Sequence, residues 1–182
     1  MKSLQGHFLV AALHQHDPIF ARAVILVVQH SRRAAFGVIV DDSSENRGRR
    51  EQRNFKRRLP ARARLYFGGP VTGPLMAVHT RALFAERQLL PGVFFSATEK
   101  NVLSLMGQTE HLCKVFTGYA GWGPGQLDYE LEQGIWRVVP ATPAQIFSDG
   151  RDLWQQLSRQ VSRLQLQTVF NMKHIPADPL LN

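Results

Sequence analysis

Three apolar runs crowd the first forty residues and set the strongest limit on what this chain can fold into. Phe8 to Leu13 reads as a short strand, Ala23 to Val28 as a buried one, and Phe36 to Val40 as a third. β-branched residues concentrate in them, and each is too short for a typical helix. The runs are near-continuous rather than alternating, which implies a sheet buried on more than one side. Between the first two, Asp17-Pro18 marks a turn, because proline presets φ and the aspartate can cap its own backbone.

A second constraint is the stretch Gly118-Tyr119-Ala120-Gly121-Trp122-Gly123-Pro124-Gly125-Gln126-Leu127. Four glycines among two large aromatics require backbone to pass close to backbone, or φ to turn positive. Pro124 suits the first turn of a helix that carries Leu127 and Leu131 on one face and stops at Gly134. Upstream, Leu65-Tyr66-Phe67 reads as a strand ending at Gly68-Gly69-Pro70, and Leu75 to Thr80 and Val93 to Ser96 as two more. Thr98 is placed to cap a helix over Glu99 to Met106, with Val102, Leu103 and Met106 on one face and Gly107 at its end. Leu112 to Thr117 and Ile135 to Val139 complete the strands. Ser148 and Asp149 are expected to cap a long helix with the stripe Leu153, Trp154, Leu157, Val161 and Leu164. The remainder, with Pro176 and Pro179, reads as a docked or frayed tail.

The 182 residues, 44% hydrophobic and 20% charged, suit a single domain spanning 1–182. No apolar run reaches the roughly 20 residues that span a bilayer, so no membrane partner is expected. The apolar patch from Leu4 to Leu13 lacks a small-residue cleavage site and reads as a strand rather than a signal peptide, which makes the cytoplasm the expected location. The formal charge of +8 is local. Residues 47–64 carry nine basic side chains against Glu51, and the rest of the chain is neutral. Apolar residues almost vanish from about 41 to 62, so that segment reads as a basic surface insert.

His14, His16 and Asp17, with His30, His79 or His111, match no complete metal signature, and solvated turn histidines explain the first two. Cys113 is the sole cysteine and sits mid-strand, as a small buried hydrophobe does. There is no Gly-x-Ser-x-Gly elbow. Asp128, Glu130 and Glu132 have the spacing for acid–base work, but also for the solvated face of a short helix near its N-terminus. Gly121, Gly123 and Gly125 resemble an anion cradle, yet Pro124 removes a donor and no lysine follows. No cofactor or metal is expected.

The arginine-rich run is the strongest electrostatic lead. Five phosphate contacts would give a salt slope of about −4.5, roughly 500-fold between 50 and 200 mM. The candidate nucleic-acid contacts are Arg49, Arg50, Arg53, Lys56, Arg57 and Arg58. Only Phe55 could stack, and no recognition-helix or RNA-motif pattern fits, so a basic loop kept for solubility stays open beside it.

The motifs resemble the YqgE/AlgH family, bacterial proteins often labelled transcriptional regulators. The matching pieces are Gly6 to Ala11, Asp17 to Val24, Phe67-Gly68-Gly69-Pro70-Val71, His79, Gly118 to Leu127 with Glu130, and Ala177 to Asn182. The resemblance implies an α+β domain with a bent, barrel-like mixed β-sheet flanked by helices. It implies no established reaction, cofactor or catalytic residue. This chain departs from the family where Asp41-Asp42-Ser43 replaces an Asn-Arg-Pro-like segment and the arginine run replaces a stretch rich in leucine and acid.

Three functional expectations follow. The first is a non-enzymatic regulatory or interaction protein that binds a protein or small-molecule partner. Its candidate surface comprises Asp17, Phe20, Gly68, Gly69, Pro70, His79, Tyr119, Trp122, Gln126 and Glu130. The second is nucleic-acid binding through residues 47–64. The third is an enzyme using His79, Glu130 or the His14/His16 group.

Overall fold

The three N-terminal runs become strands β1 (His7–Ala11), β2 (Val24–His30) and β3 (Ala35–Ile39). The computed structural model describes residues 3–41, 65–108 and 110–173, with side chains as far as 164. The arginine-rich segment and the C-terminal motif from Ala177 lie outside the described residues. Further strands are β4 (Leu65–Phe67), β5 (Met76–His79), β6 (Arg87–Leu90), β7 (Val93–Ser96), β8 (Cys113–Thr117), β9 (Ala120–Trp122) and β10 (Trp136–Pro140). The helices are α1 (Glu99–Met106), α2 (Gln126–Glu132), α3 (Pro143–Ile146) and α4 (Leu153–Lys173).

The strands form two five-stranded sheets. The first runs β10-β1-β2-β3-β9 and is antiparallel throughout. The second runs β4-β8-β5-β7-β6, with only the β4–β8 pair parallel. This is the mixed α+β architecture that the motifs imply. Strand alternation assigns the side chains to layers. Phe8, Val10, Val24, Leu26 and Val38 pack with Met76, Val78, Phe95 and Phe116 of the second sheet. Their neighbours Leu9, Ile25, Val27 and Ile39 pack the other way with Trp122, Leu127 and Trp136. Behind the second sheet, Ala77 and Val115 meet Val102 and Leu105 of α1. Burial on both faces is why the strand sequences read as continuous apolar runs even though the pairing is antiparallel.

The first sheet curls until its edges approach. Trp122 on β9 and Trp136 on β10 stand at opposite edges, yet their rings meet edge-to-face at 6.1 Å. Side chains, not a backbone ladder, close the gap, so the sheet is barrel-like without being a closed barrel.

The chain crosses from the second sheet to the first between β8 and β9. Val71 and Tyr119 exchange two backbone hydrogen bonds of 3.0 Å there, and Gly68 N–H donates to Thr117 O at 2.8 Å. Gly68 O accepts from Ile39 N at 2.9 Å, which ties the two sheets together. A Cβ on Gly69 would strike the Tyr119 backbone, and one on Gly118 would strike Gly69 O. The expected close backbone crossing is therefore present, with φ +148 at Gly69 and +70 at Gly118.

Several local expectations are corrected. Gly125 is the left-handed N-cap of α2 (φ 70), so Pro124 belongs to the preceding turn and not to the helix. Ser148 Oγ donates to Gln145 O and Asp149 pairs with Arg151, while α4 starts only at Leu153, so neither caps it. Leu164 is 55% exposed and leaves the buried stripe. On α1 the expected face of Val102, Leu103 and Met106 holds at Val102 and Met106, while Leu105 is buried in place of the exposed Leu103. Thr98 holds the N-cap position without a side-chain cap bond, and Glu86 accepts from the Ala97 and Thr98 amides at 3.0 and 2.9 Å instead. Strands β6 and β9 and the capping-box helix α3 have no counterpart in the sequence reading. No helix among the described residues is long and apolar enough to cross a membrane.

Candidate functional site

Glu130 gathers four of the candidate residues into one cluster. Its Oε2 accepts from the indole N–H of Trp122 at 2.8 Å and of Trp136 at 2.7 Å. Its Oε1 accepts from Gln126 Nε2 at 2.9 Å, and Gln126 Oε1 in turn accepts from Gly123 N at 3.1 Å. Phe20 stands edge-on to Trp136 at 5.9 Å. The carboxylate thus bridges the two edges of the curled sheet from the one-turn-spaced pair Gln126 and Glu130 on α2. Trp122 and Trp136 are 6% and 2% exposed, so their contribution is to the core.

Asp17 shapes the turn that carries Phe20. Its Oδ1 accepts from Ile19 N at 2.7 Å and Phe20 N at 3.1 Å, the self-capping that a short side chain before proline allows. The turn leaves through Arg22 at φ 58, the only described non-glycine residue with positive φ. Gly68, Gly69, Pro70 and Tyr119 belong to the strand crossing, and Tyr119 packs edge-on to Phe36 at 5.9 Å.

His79 is remote from both groups and fully buried on β5. Its Nδ1 accepts from Arg81 N at 3.3 Å, which leaves the proton on Nε2 facing Ser96 Oγ at 2.9 Å. Ser96 Oγ donates onward to Phe84 O. A serine beside a histidine has the form of a nucleophile and base. Here the hydroxyl proton is committed to a carbonyl and neither group meets solvent, so His79 offers no contact to an external ligand. Burial, with the charge of His111 beside it, pushes the imidazole down to about 4.

His30 is buried, its Nδ1 accepting from Leu4 N at 3.2 Å and its Nε2 facing Asp128 Oδ1 at 3.7 Å. Burial lowers its pKa and Asp128 partly opposes that. Burial lowers His111 too, with Arg81 adding to the effect. Burial pushes the Cys113 thiol up to about 12, far from a thiolate at neutral pH. His14 and His16 lie on an exposed turn. No group of three or more His, Cys, Asp or Glu side chains among the described residues is placed to hold a metal.

A concave surface lies elsewhere, between the end of β1 and α4. It comprises two adjoining hollows of about 180 and 410 Å³ that share Leu13, Ser158 and Ser162. Arg137 and His14 line one, and Arg159 and Arg163 the other. Leu13 is 86% exposed at the boundary. Trp154 anchors the helix by donating its indole N–H to Ala11 O at 2.8 Å, and the Arg22 guanidinium lies 5.7 Å from its ring centre. This groove was missing from the sequence reading because it joins residues about 140 positions apart. The available signal was charge: residues 153–173 contain no Asp or Glu.

Known proteins share the fold. The family model described as DUF179, AlgH-like, matches residues 8–164. A UPF0301 protein of Shewanella baltica is 33% identical over 171 residues, covering 87% of this chain and 91% of its own length. A UPF0301 protein of Corynebacterium glutamicum is 32% identical, covering 96% and 94%. Among solved structures, the AlgH protein from Pseudomonas aeruginosa superposes with a TM-score of 0.69 at 30% identity, covering 90% of this chain and 89% of that one. A protein from Corynebacterium diphtheriae gives 0.66 at 27%, covering 88% and 87%.

Proposed function

The chain belongs to the AlgH-like family, and we propose that it is a non-enzymatic interaction protein that acts on transcription by association, docking a partner in the β1–α4 groove. One observation carries this reading. The described side chains that the sequence offered for catalysis are engaged in the fold, as His79, Glu130 and Cys113 are, or exposed outside an enclosed site, as His14 and His16 are on a turn and Glu132 is on α2. His79 is buried between Ser96 and the Arg81 amide, Glu130 holds two indoles, and the Cys113 thiol is pushed up to about 12. The groove, by contrast, leaves an apolar side chain and arginines open to solvent.

Complementation tests the proposal. In a host deleted for its own AlgH-like gene, the wild-type chain is expected to restore the transcript profile. Cys113→Ser and Glu130→Gln are expected to restore it too, whereas Leu13→Asp and the pair Arg159→Glu with Arg163→Glu should not. The reverse pattern would refute the proposal. A second reading, nucleic-acid binding through residues 47–64, is favoured by the +8 concentrated there. Anisotropy titrations at two salt concentrations, before and after replacing those arginines by serine, test it. Equal affinity of the two versions would exclude it.

A further inference from the structure

We infer that the β1–α4 groove receives an acidic segment of a partner protein, with an apolar side chain seated against Leu13 and carboxylates meeting Arg137, Arg159 and Arg163. This rests on the docking role proposed above and adds the chemistry of the partner.

The charge pattern comes first. Residues 153–173 contain Arg159, Arg163 and Lys173 and no acid. Arg159 and Arg163 are exposed and one turn apart, a like-charge spacing that opposes the helix. No carboxylate lines either hollow among the described residues. Among the described residues the lining of the hollows therefore offers positive charge without a carboxylate beside it.

The lining is partly apolar, with Ser158 and Ser162 among it. Val10, Ala11 and Val161 line the inner hollow, and Leu13 projects at its lip. A purely ionic ligand gains nothing from these apolar side chains, whereas a peptide that places a leucine-like side chain among its acids uses both features, as in helix-in-groove recognition. The hollows are on the scale of sites that hold a few side chains.

A nucleic acid fits less well. Single-strand recognition relies on aromatic faces for stacking. Among the described residues only Trp154 and the exposed turn residue His14 bring aromatic rings to the hollows; the Trp154 N–H is bonded to Ala11 O, and Arg22 lies over its ring. A base would have to displace the guanidinium.

The test uses the full chain and a fluorescein-labelled peptide of Asp and Glu with leucines at helical spacing. Two controls are the same peptide with serine for leucine and an oligothymidine. The acidic leucine peptide is expected to bind with a Kd of about 10 μM, moderate as single-groove contacts are. The serine peptide should bind about tenfold more weakly. Arg159→Glu with Arg163→Glu, both exposed and checked for an unchanged melting curve, should also weaken binding about tenfold. Amide resonances of Leu13, His14 and Ser158 should shift on titration. Absence of saturation below about 1 mM overturns the inference, as does equal affinity for the charge-reversed chain. Displacement of the peptide by oligothymidine at equal concentration would instead assign the groove to nucleic acid. If the peptide fails while groove variants still abolish complementation, the partner chemistry is wrong and the docking role stands.

Discussion

Removing the Glu130 carboxylate tests the curled sheet most directly. Two indole N–H groups, on Trp122 and Trp136, share one of its oxygens at 2.8 and 2.7 Å. Hydrogen bonds to a charged acceptor contribute about 1.5–3 kcal/mol each, and a buried donor left without a partner costs a similar amount. Glu130→Ala orphans both indoles, for an expected loss of about 3–5 kcal/mol. Glu130→Gln keeps one carbonyl oxygen for the indoles but turns an amide N–H toward Gln126 Nε2, for about 1–2 kcal/mol. Against a total stability of roughly 5–15 kcal/mol, the alanine variant should still fold, with Tm lowered by about 10 °C. Urea unfolding followed by tryptophan fluorescence measures both. A double-mutant cycle of Trp122→Phe with Glu130→Ala should return a coupling of about 1 kcal/mol or more. A Glu130→Ala loss below about 1 kcal/mol, with no coupling, would refute the clasp.

Further predictions concern the core and the crossing. His79 titrates near 4 in the folded chain against 6.5 when unfolded, so the unfolded state takes the proton first. Stability is then full above about pH 6.5 and falls by about 3 kcal/mol toward pH 4, which urea midpoints across that range detect and which His79→Gln should flatten. His30 and His111 shift in the same direction and leave a residual slope in that variant. Gly69→Ala forces a Cβ into the Tyr119 backbone and should cost about 3 kcal/mol or more, whereas Gly125→Ala meets no atom within 4 Å and should cost only about 1–2 kcal/mol for its left-handed φ. Alkylation of Cys113 by iodoacetamide at pH 8 should be slow in the native chain and fast in urea; equal rates would contradict its burial and raised pKa.

How much of this was legible depended on whether local sequence carried the cause. β1 to β3 were readable because burial on two faces leaves an unbroken apolar run. β7 was readable for the same reason, with Val93, Phe95 and Ser96 buried. β6 was not, because it is an edge strand in which Arg87 and Gln88 face solvent, and only its pairing to β7 makes it a strand. β9 has three residues, one a glycine, and glycine density signals a crossing more strongly than a strand. Glu130 was marked for its place on a helix, but the eight residues back to Trp122 and the six forward to Trp136 reveal nothing of a sheet whose edges meet. His79 shows the opposite failure. A histidine near a motif reads as chemistry until its burial and both of its partners are known.

Clasp and groove share β10 yet need not be coupled. Trp136 and Arg137 are consecutive and so project to opposite faces of the strand. Trp136 enters the curl, while Arg137 lines the inner hollow with Nη1 donating to Gly134 O at 2.9 Å. Loosening the clasp would move Arg137 only if β10 left its place. Five paired positions with β1, from His7–Pro140 to Ala11–Trp136, hold the strand there independently of Glu130. The loss in Glu130→Gln should therefore appear as global stability and not as local fraying, because the ladder and the Gly134 contact survive. Its affinity for the acidic leucine peptide is expected to stay within about twofold of wild type, whereas Arg137→Glu lowers it about tenfold. A tenfold loss in Glu130→Gln at a temperature where the chain is fully folded would show that the clasp positions the groove, and would reverse the independence argued from the β1–β10 ladder.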